Sequence, residues 1–262
     1  MKFLENPRLE LVCSNLVAAA NCRIDVRVES YSMKMVQSDK RLFSKMLKTE
    51  GPAIGPNDRQ PLSPPVVEEN LAWSPSFCSA RLPPPPPSTS LSPSTTSQLS
   101  AYERCRHRSA SASGGSDQEV NDNGAVLRES ISRRMLFHLT ALLNTSFSDY
   151  DFTDAKGEQF SRMASLDVVV RAVDTQLSST VNAYGRHRKQ LWHAIDEEIR
   201  CKECAVYSYK PDYSSDPFCD DGCIWSFNYF FYNRRLKRIL FFSCRSLSGE
   251  EADDAPMWPI DN

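Results

Sequence analysis

Between residues 22 and 31 apolar and polar side chains alternate, with Ile24, Val26 and Val28 on one side and Arg23, Asp25, Arg27 and Glu29 on the other. This period of two predicts a strand with one buried face and one wet face. A short helix precedes it, with Leu9, Val12, Cys13 and Leu16 at helical spacing, and another follows around Asp39 to Leu47. From about Gly51 to Asn123 the periodic apolar positions give way to Pro, Ser, Thr and Gly. Such a segment buries too little surface to offset its chain entropy, which predicts a disordered linker over residues 51–126. Order resumes with Ile131, Met135, Leu139 and Leu142, a helix of about four turns whose start Ser130 is placed to cap. Leu166, Val170, Val173, Leu177 and Val181 mark a second amphipathic helix with Ser165 as its N-cap, and Leu191, Ile195 and Ile199 mark a third.

Ala205 to Lys210 reads as a strand, and a loop rich in Pro and Asp runs on to Gly222. The run from Ile224 to Ser243 then sets two aromatic and aliphatic stretches on either side of Asn233, Arg234, Arg235, Lys237 and Arg238. Aromatic density suits two neighbouring buried strands, whereas Asn and clustered bases suit an exposed turn, so the run predicts a hairpin with a positive tip. Trp225, Phe227, Tyr229 and Phe231 alternate with Ser226, Asn228, Phe230 and Tyr232 and are read as core packing. Helices grouped together, with strands mainly towards the C-terminal end, predict an α+β fold: an antiparallel sheet packed with helices. The expected organisation is one globular domain built from residues 1–50 and 127–249, interrupted by the linker and followed by a short acidic tail over 250–262. A loop of about 75 residues inside a domain costs only a few kcal/mol of closure entropy, because the penalty grows with the logarithm of length.

Composition sharpens this picture. The hydrophobic content of 40% lies below the globular average of roughly 45–50%. The deficit is local, since 12 of 17 prolines lie between Pro52 and Pro93. A formal net charge of -2 argues against a general affinity for nucleic acid. No secretory pattern opens the sequence and no window of about 20 apolar residues occurs, so the expected setting is cytosol or nucleus with no membrane partner. In that reducing setting nine cysteines are expected as thiols or metal ligands rather than disulfides.

The aromatic run, read with Arg27-Val28-Glu29-Ser30-Tyr31-Ser32 and with Asp149-Tyr150-Asp151-Phe152-Thr153, closely resembles the Maf-type repressors of RNA polymerase III. The resemblance covers roughly residues 1–47 and 127–249, with the three motifs in the family's order. Ser148 stands where the family usually has proline, and Thr153 where it usually has serine. The hydroxyl of Thr153 keeps a capping role available. The resemblance implies a regulator without chemistry or cofactor. It would enter the nucleus when dephosphorylated under nutrient limitation or stress, and would shuttle back to the cytoplasm with its phosphorylation state. It would bind the RNA polymerase III core near its clamp and keep the enzyme from promoter-bound initiation factor IIIB. That factor, and growth-signalling kinases and phosphatases, are the further partners implied; sequence-specific DNA binding is not expected.

Candidate sites carry two readings each. Arg234, Arg235, Lys237 and Arg238 are a solvated turn that resists edge aggregation, or an import signal and contact for an acidic partner, which the resemblance favours. Asp149, Tyr150, Asp151 and Phe152 form a polymerase-recognition loop, or a loop anchored by its rings whose aspartates cap backbone amides. Ser109 and Ser111 follow arginines by three and five residues, the spacing read by basophilic kinases, while Ser63 and Ser92 precede proline and Ser100 is a further candidate. Cys201-x2-Cys204 and Cys219-x3-Cys223 have ribbon-like spacing for zinc, the basis of an alternative reading as a zinc-stabilised or direct nucleic-acid-binding module. Relatives commonly have Gly and Ser in place of Cys219 and Cys223, which favours free thiols. Asp196, Glu197 and Glu198 read as a solvated helix face. No His-Glu-x-x-His pattern, Gly-rich phosphate loop or Gly-x-Ser-x-Gly elbow supports an enzyme.

Overall fold

Two separated parts of the chain share one sheet in the computed structural model, which describes residues 1–50, 55, 57–64, 129–210, 216–220 and 222–248. The N-terminal part supplies β1 (Lys2–Leu4), α1 (Pro7–Ala18), β2 (Arg23–Ser32) and α2 (Gln37–Glu50), followed by the short β3 (Arg59–Pro61). The later part supplies β4 (Ser130–Ser132), α3 (Arg133–Ser146), β5 (Phe160–Arg162), α4 (Leu166–Thr180) and α5 (Tyr184–Ile199). It ends in β6 (Ala205–Tyr209), β7 (Cys223–Asn233) and β8 (Arg238–Leu247). Six strands lie in the order β1-β2-β8-β7-β6-β5 with every neighbour antiparallel. β2 runs beside β8 along its whole length, from Arg23 opposite Leu247 to Ser32 opposite Arg238. This pairing joins the segment before the linker to the C-terminal hairpin and gives the α+β fold that the pattern predicts.

Both faces of the sheet are covered, which explains why β7 is apolar on successive residues as well as alternate ones. On one face Val26, Val28, Phe227, Tyr229, Phe231, Leu240 and Phe242 pack against Leu9 and Leu16 of α1, Val173 and Leu177 of α4, and Leu191 and Ile195 of α5. On the other, Phe230, Ile239 and Phe241 pack with Leu139, Leu142 and Leu143 of α3 and with Phe147, Phe152 and Phe218 of the loops. The side of β2 expected to be wet is therefore largely covered. Arg23 stays exposed, but Asp25, Arg27 and Glu29 lie half-buried and hydrogen-bonded near the end of α3.

Local chemistry sets the helix starts. Asn6 Oδ1 accepts from the amides of Arg8 at 3.0 Å and Leu9 at 3.4 Å ahead of Pro7, whose missing N–H costs nothing in the first turn. Ser165 Oγ accepts from Val168 N at 3.3 Å, the cap expected for α4. At α3 the expectation is corrected. Ile131 lies in β4, and the cap is Ser132, whose Oγ accepts from Met135 N at 3.2 Å. A second correction concerns residues 59–64, placed by composition in the linker. β3 pairs with β4, and Leu62 is buried in the same cluster as Ile131, Phe160 and Phe230. Three-residue strands are too short to show a period, so β1, β3, β4 and β5 leave no alternation to read.

Candidate interaction surface

The three sequence motifs converge on Phe147, which none of them contains. From β2, the Arg27 guanidinium lies 4.7 Å from the centre of the Phe147 ring and donates to the Ser146 carbonyl. From β8, the Arg245 guanidinium lies 5.5 Å from the same ring and donates to Asp25 Oδ2 at 2.7 Å and to the Pro217 carbonyl at 2.8 Å. Two cations thus share one ring, and Asp25, which pairs with both, offsets their repulsion. Glu29 accepts from Tyr31 Oη at 2.7 Å and Ser146 Oγ at 2.6 Å, which locks the end of α3 to β2.

The acidic and aromatic loop is anchored from below. Phe152 is buried and packs edge-on to Tyr209 at 5.7 Å between centroids, and its amide donates to Asn144 Oδ1 at 2.7 Å. Tyr150 donates to Asp220, and burial together with that carboxylate pushes its hydroxyl up to about 12. Asp151 accepts from the Thr153 amide at 2.9 Å and from its hydroxyl, which holds the carboxyl below its usual range. The anchoring reading thus accounts for Tyr150, Asp151 and Phe152. Asp149 is exposed and makes only a long contact, 3.5 Å from Ser148 Oγ, among the described residues.

At the hairpin the four bases do not act alike. Asn233, fully buried, builds the turn: its Oδ1 accepts from the amides of Arg235 and Leu236, both at 3.0 Å, and its Nδ2 donates to the Ile199 carbonyl at 2.8 Å. Lys237 takes a left-handed backbone, φ 52°, and its carbonyl accepts from Met33 N at 2.9 Å. Arg238 donates to Glu198 Oε1 at 2.8 Å, and Arg235 lies 3.7 Å from Glu203. Arg234 and Lys237 are exposed and have no ion pair among the described residues, so they carry the free positive charge of a rigid turn.

Glu198 is the residue that sequence reasoning missed. Its carboxylate, 12% exposed, also accepts from Ser30 Oγ at 2.7 Å and from Asn6 Nδ2 at 2.8 Å, which ties α5 to α1, β2 and β8. Glu197 pairs with Arg8, which holds its carboxyl low, and Asp196 Oδ1 accepts from Cys201 N at 2.9 Å. Asp196 and Glu197 are exposed, as the solvated-face reading has it, and Glu198 alone corrects that reading. A signal existed, because Glu198 lies seven residues after Leu191 and three after Ile195, on the same helix stripe.

A four-cysteine zinc site is incompatible with the fold. Cys201 and Cys204 sit by the Asn233 end of β7, whereas Cys223 begins that strand, ten steps of about 3.3 Å away, with Cys219 just before it. Burial pushes the thiols of Cys201 and Cys204 up to about 12. Among the described residues no group of three or more His, Cys, Asp and Glu side chains is placed to hold a metal ion. Of the candidate serines, Ser63 alone lies in the described residues; Ser92, Ser100, Ser109 and Ser111 lie outside them, as does the acidic tail.

A model of the Maf1 regulator family matches residues 24–243, a span that contains all three motifs. The chain belongs to the Maf1 regulator family. It is 33% identical over 254 residues to the Schizosaccharomyces pombe repressor of RNA polymerase III transcription maf1, a match covering 95% of this chain and 84% of that protein. With the Dictyostelium discoideum repressor of RNA polymerase III transcription it shares 43% identity over 123 residues, 47% of this chain and 44% of that protein. It therefore matches less than half the length of that family member. A crystal structure of citrus MAF1 superposes with a TM-score of 0.51 at 23% identity, over 92% of this chain and 99% of that one, and has the same fold.

Proposed function

We propose that this chain represses RNA polymerase III transcription by occupying the polymerase core and blocking its recruitment to promoter-bound initiation factor IIIB. The similarity to the S. pombe repressor along 95% of the chain is the observation that carries this reading. The geometry supports a binding mechanism: a turn fixed by Asn233 presents Arg234 and Lys237 without the entropy cost of ordering a loop. An acidic patch near the polymerase clamp is the complementary surface. Initiation factor IIIB is a second contact in this scheme.

Phosphorylation by growth-signalling kinases controls the scheme. Phosphate at Ser63, Ser92, Ser100, Ser109 or Ser111 adds nearly two negative charges per site, competes for Arg234 and Lys237, and shifts the protein from nucleus to cytoplasm; phosphatases reverse it. Direct nucleic-acid binding through the turn is the weaker reading. Two free cations neutralise about two phosphates, so the salt slope would be only about -1.8.

Purified RNA polymerase III captured on the immobilised full chain tests the contact. Reversing Arg234→Glu and Lys237→Glu should reduce capture at least tenfold, whereas unchanged capture would remove the turn from the interface.

A further inference from the structure

We infer that Ser63 fastens a strap over the outer edge of the sheet, and that transfer of a phosphoryl group to its hydroxyl, made when the strap lifts, holds that strap open. The inference rests on the phosphorylation control proposed above, but it concerns what the modification does to the fold. β5 is the last strand of the sheet, and its side away from β6 would present unpaired backbone groups. Residues 59–64 cover it. Ser63 bridges Ser161 in parallel, its amide donates to the Phe160 carbonyl at 2.9 Å, and Ser161 Oγ donates to the Pro64 carbonyl at 3.2 Å.

The strap is held at three further points. Arg59 Nε and Nη2 each reach Ser130 at 2.7 Å, the Leu62 amide donates to the Glu129 carbonyl at 2.8 Å, and Gly157 N donates to Gln60 Oε1 at 2.8 Å. Gly157 permits this approach, since a Cβ there would stand 2.6 Å from the Pro61 carbonyl oxygen. Leu62, 4% exposed, is the apolar anchor. Because Leu62 meets Glu129, the strap also closes the base of the long segment that leaves after Pro64.

Ser63 Oγ donates its hydrogen to the Glu158 carbonyl oxygen, and Pro64 follows it, so the fastening hydroxyl belongs to a Ser-Pro dipeptide. A proline-directed kinase needs that dipeptide extended and unpaired, which the docked strap denies it. In the transfer, Oγ attacks the γ-phosphorus of ATP, the bond to the β-phosphate oxygen breaks to give ADP, and the hydroxyl proton passes to the kinase's base. The ester then has no hydrogen to donate and sets a charge of about -2 against the carbonyl it formerly bonded. Redocking is opposed, Leu62 leaves its site, and β5 becomes an open edge able to add a strand from another segment. Ser63 thus differs from a serine in a free linker: its modification reports on, and then traps, an opened state.

The test is amide hydrogen exchange on the full chain carrying phosphoserine installed at position 63, beside the unmodified chain and Gly157→Ala, which opens the strap sterically without adding charge. Exchange at least tenfold faster over 59–63, 129–132 and 160–162 in both altered chains, with β7 and β8 unchanged, is the expected result. Protection equal to the unmodified chain in the phosphorylated protein overturns the inference, as does acceleration spread evenly into β7 and β8. Polymerase capture by the same samples separates the two ideas. Capture that responds to Ser63 phosphate without strap opening defeats the latch alone, and strap opening without any change in capture defeats its role in polymerase control.

Discussion

Arg27 stacks on Phe147 at 4.7 Å, and that contact joins the strand before the linker to the loop that follows α3. Arg245 shares the same ring, so a single aromatic side chain organises both arginines. Phe147→Ala is expected to cost about 3–5 kcal/mol by opening a cavity and stranding both cations. Phe147→Leu, which keeps apolar volume without the π face, should cost less than half as much. Urea unfolding of the full chain measures both, and equal costs would mean that the π face under the two arginines, rather than apolar volume, carries the contact.

Glu198 receives Arg238, Ser30 and Asn6, so removing its carboxylate strands three donors. Glu198→Ala should destabilise by about 2–3 kcal/mol, with Arg238 only partly buried and the ion pair discounted accordingly. Glu198→Gln keeps acceptor capacity and should cost about 1 kcal/mol. Thermal unfolding would contradict this assignment if Ala and Gln behaved alike.

Much of the fold was legible where an element was long enough to repeat its pattern. The stripe of Val173 and Leu177 behind Ser165 marked α4 with its cap, and alternation at Ile24, Val26 and Val28 marked β2. Asn233 marked the turn, and the bases beside it marked its charge. What stayed hidden was relational. Arg234 and Arg238 look equivalent along the chain, yet a Glu on a helix forty residues earlier pairs with one of them. Phe147 stands outside every motif, because its importance lies in what three distant segments bring to it. Ser63 sits in a Pro-rich stretch whose composition conceals one docked turn.

Lys237 holds left-handed backbone strain of about 1–2 kcal/mol to place its side chain at the turn. Lys237→Gly removes the strain and the charge together, while adding unfolded-state freedom. Stability should hold or rise by up to about 1 kcal/mol while polymerase capture falls. A fall in both would mean that the side chain supports the fold rather than the contact.

His138 is buried in α3 with Nδ1 unpaired among the described residues, and burial followed by the nearby Arg134 lowers it from 6.5 to about 4. The unfolded imidazole takes a proton below about 6.5 and the folded one only near 4, so this stability is fully present above the unfolded value and is lost as pH falls between them. The linked loss is about 3 kcal/mol. Denaturation at pH 7.5 and pH 4.5 should differ by most of that amount beyond the carboxylate contribution, and His138→Leu should flatten the difference. An unchanged slope in the variant would assign acid sensitivity elsewhere.

Exclusion of polymerase from the promoter complex makes repression depend on the order of addition. Purified RNA polymerase III, initiation factors and a transfer RNA gene are combined with the unphosphorylated full chain, added either before or after promoter complexes assemble. Strong inhibition only when the chain is added first is the predicted result; equal inhibition in both orders, or none in either, would contradict it.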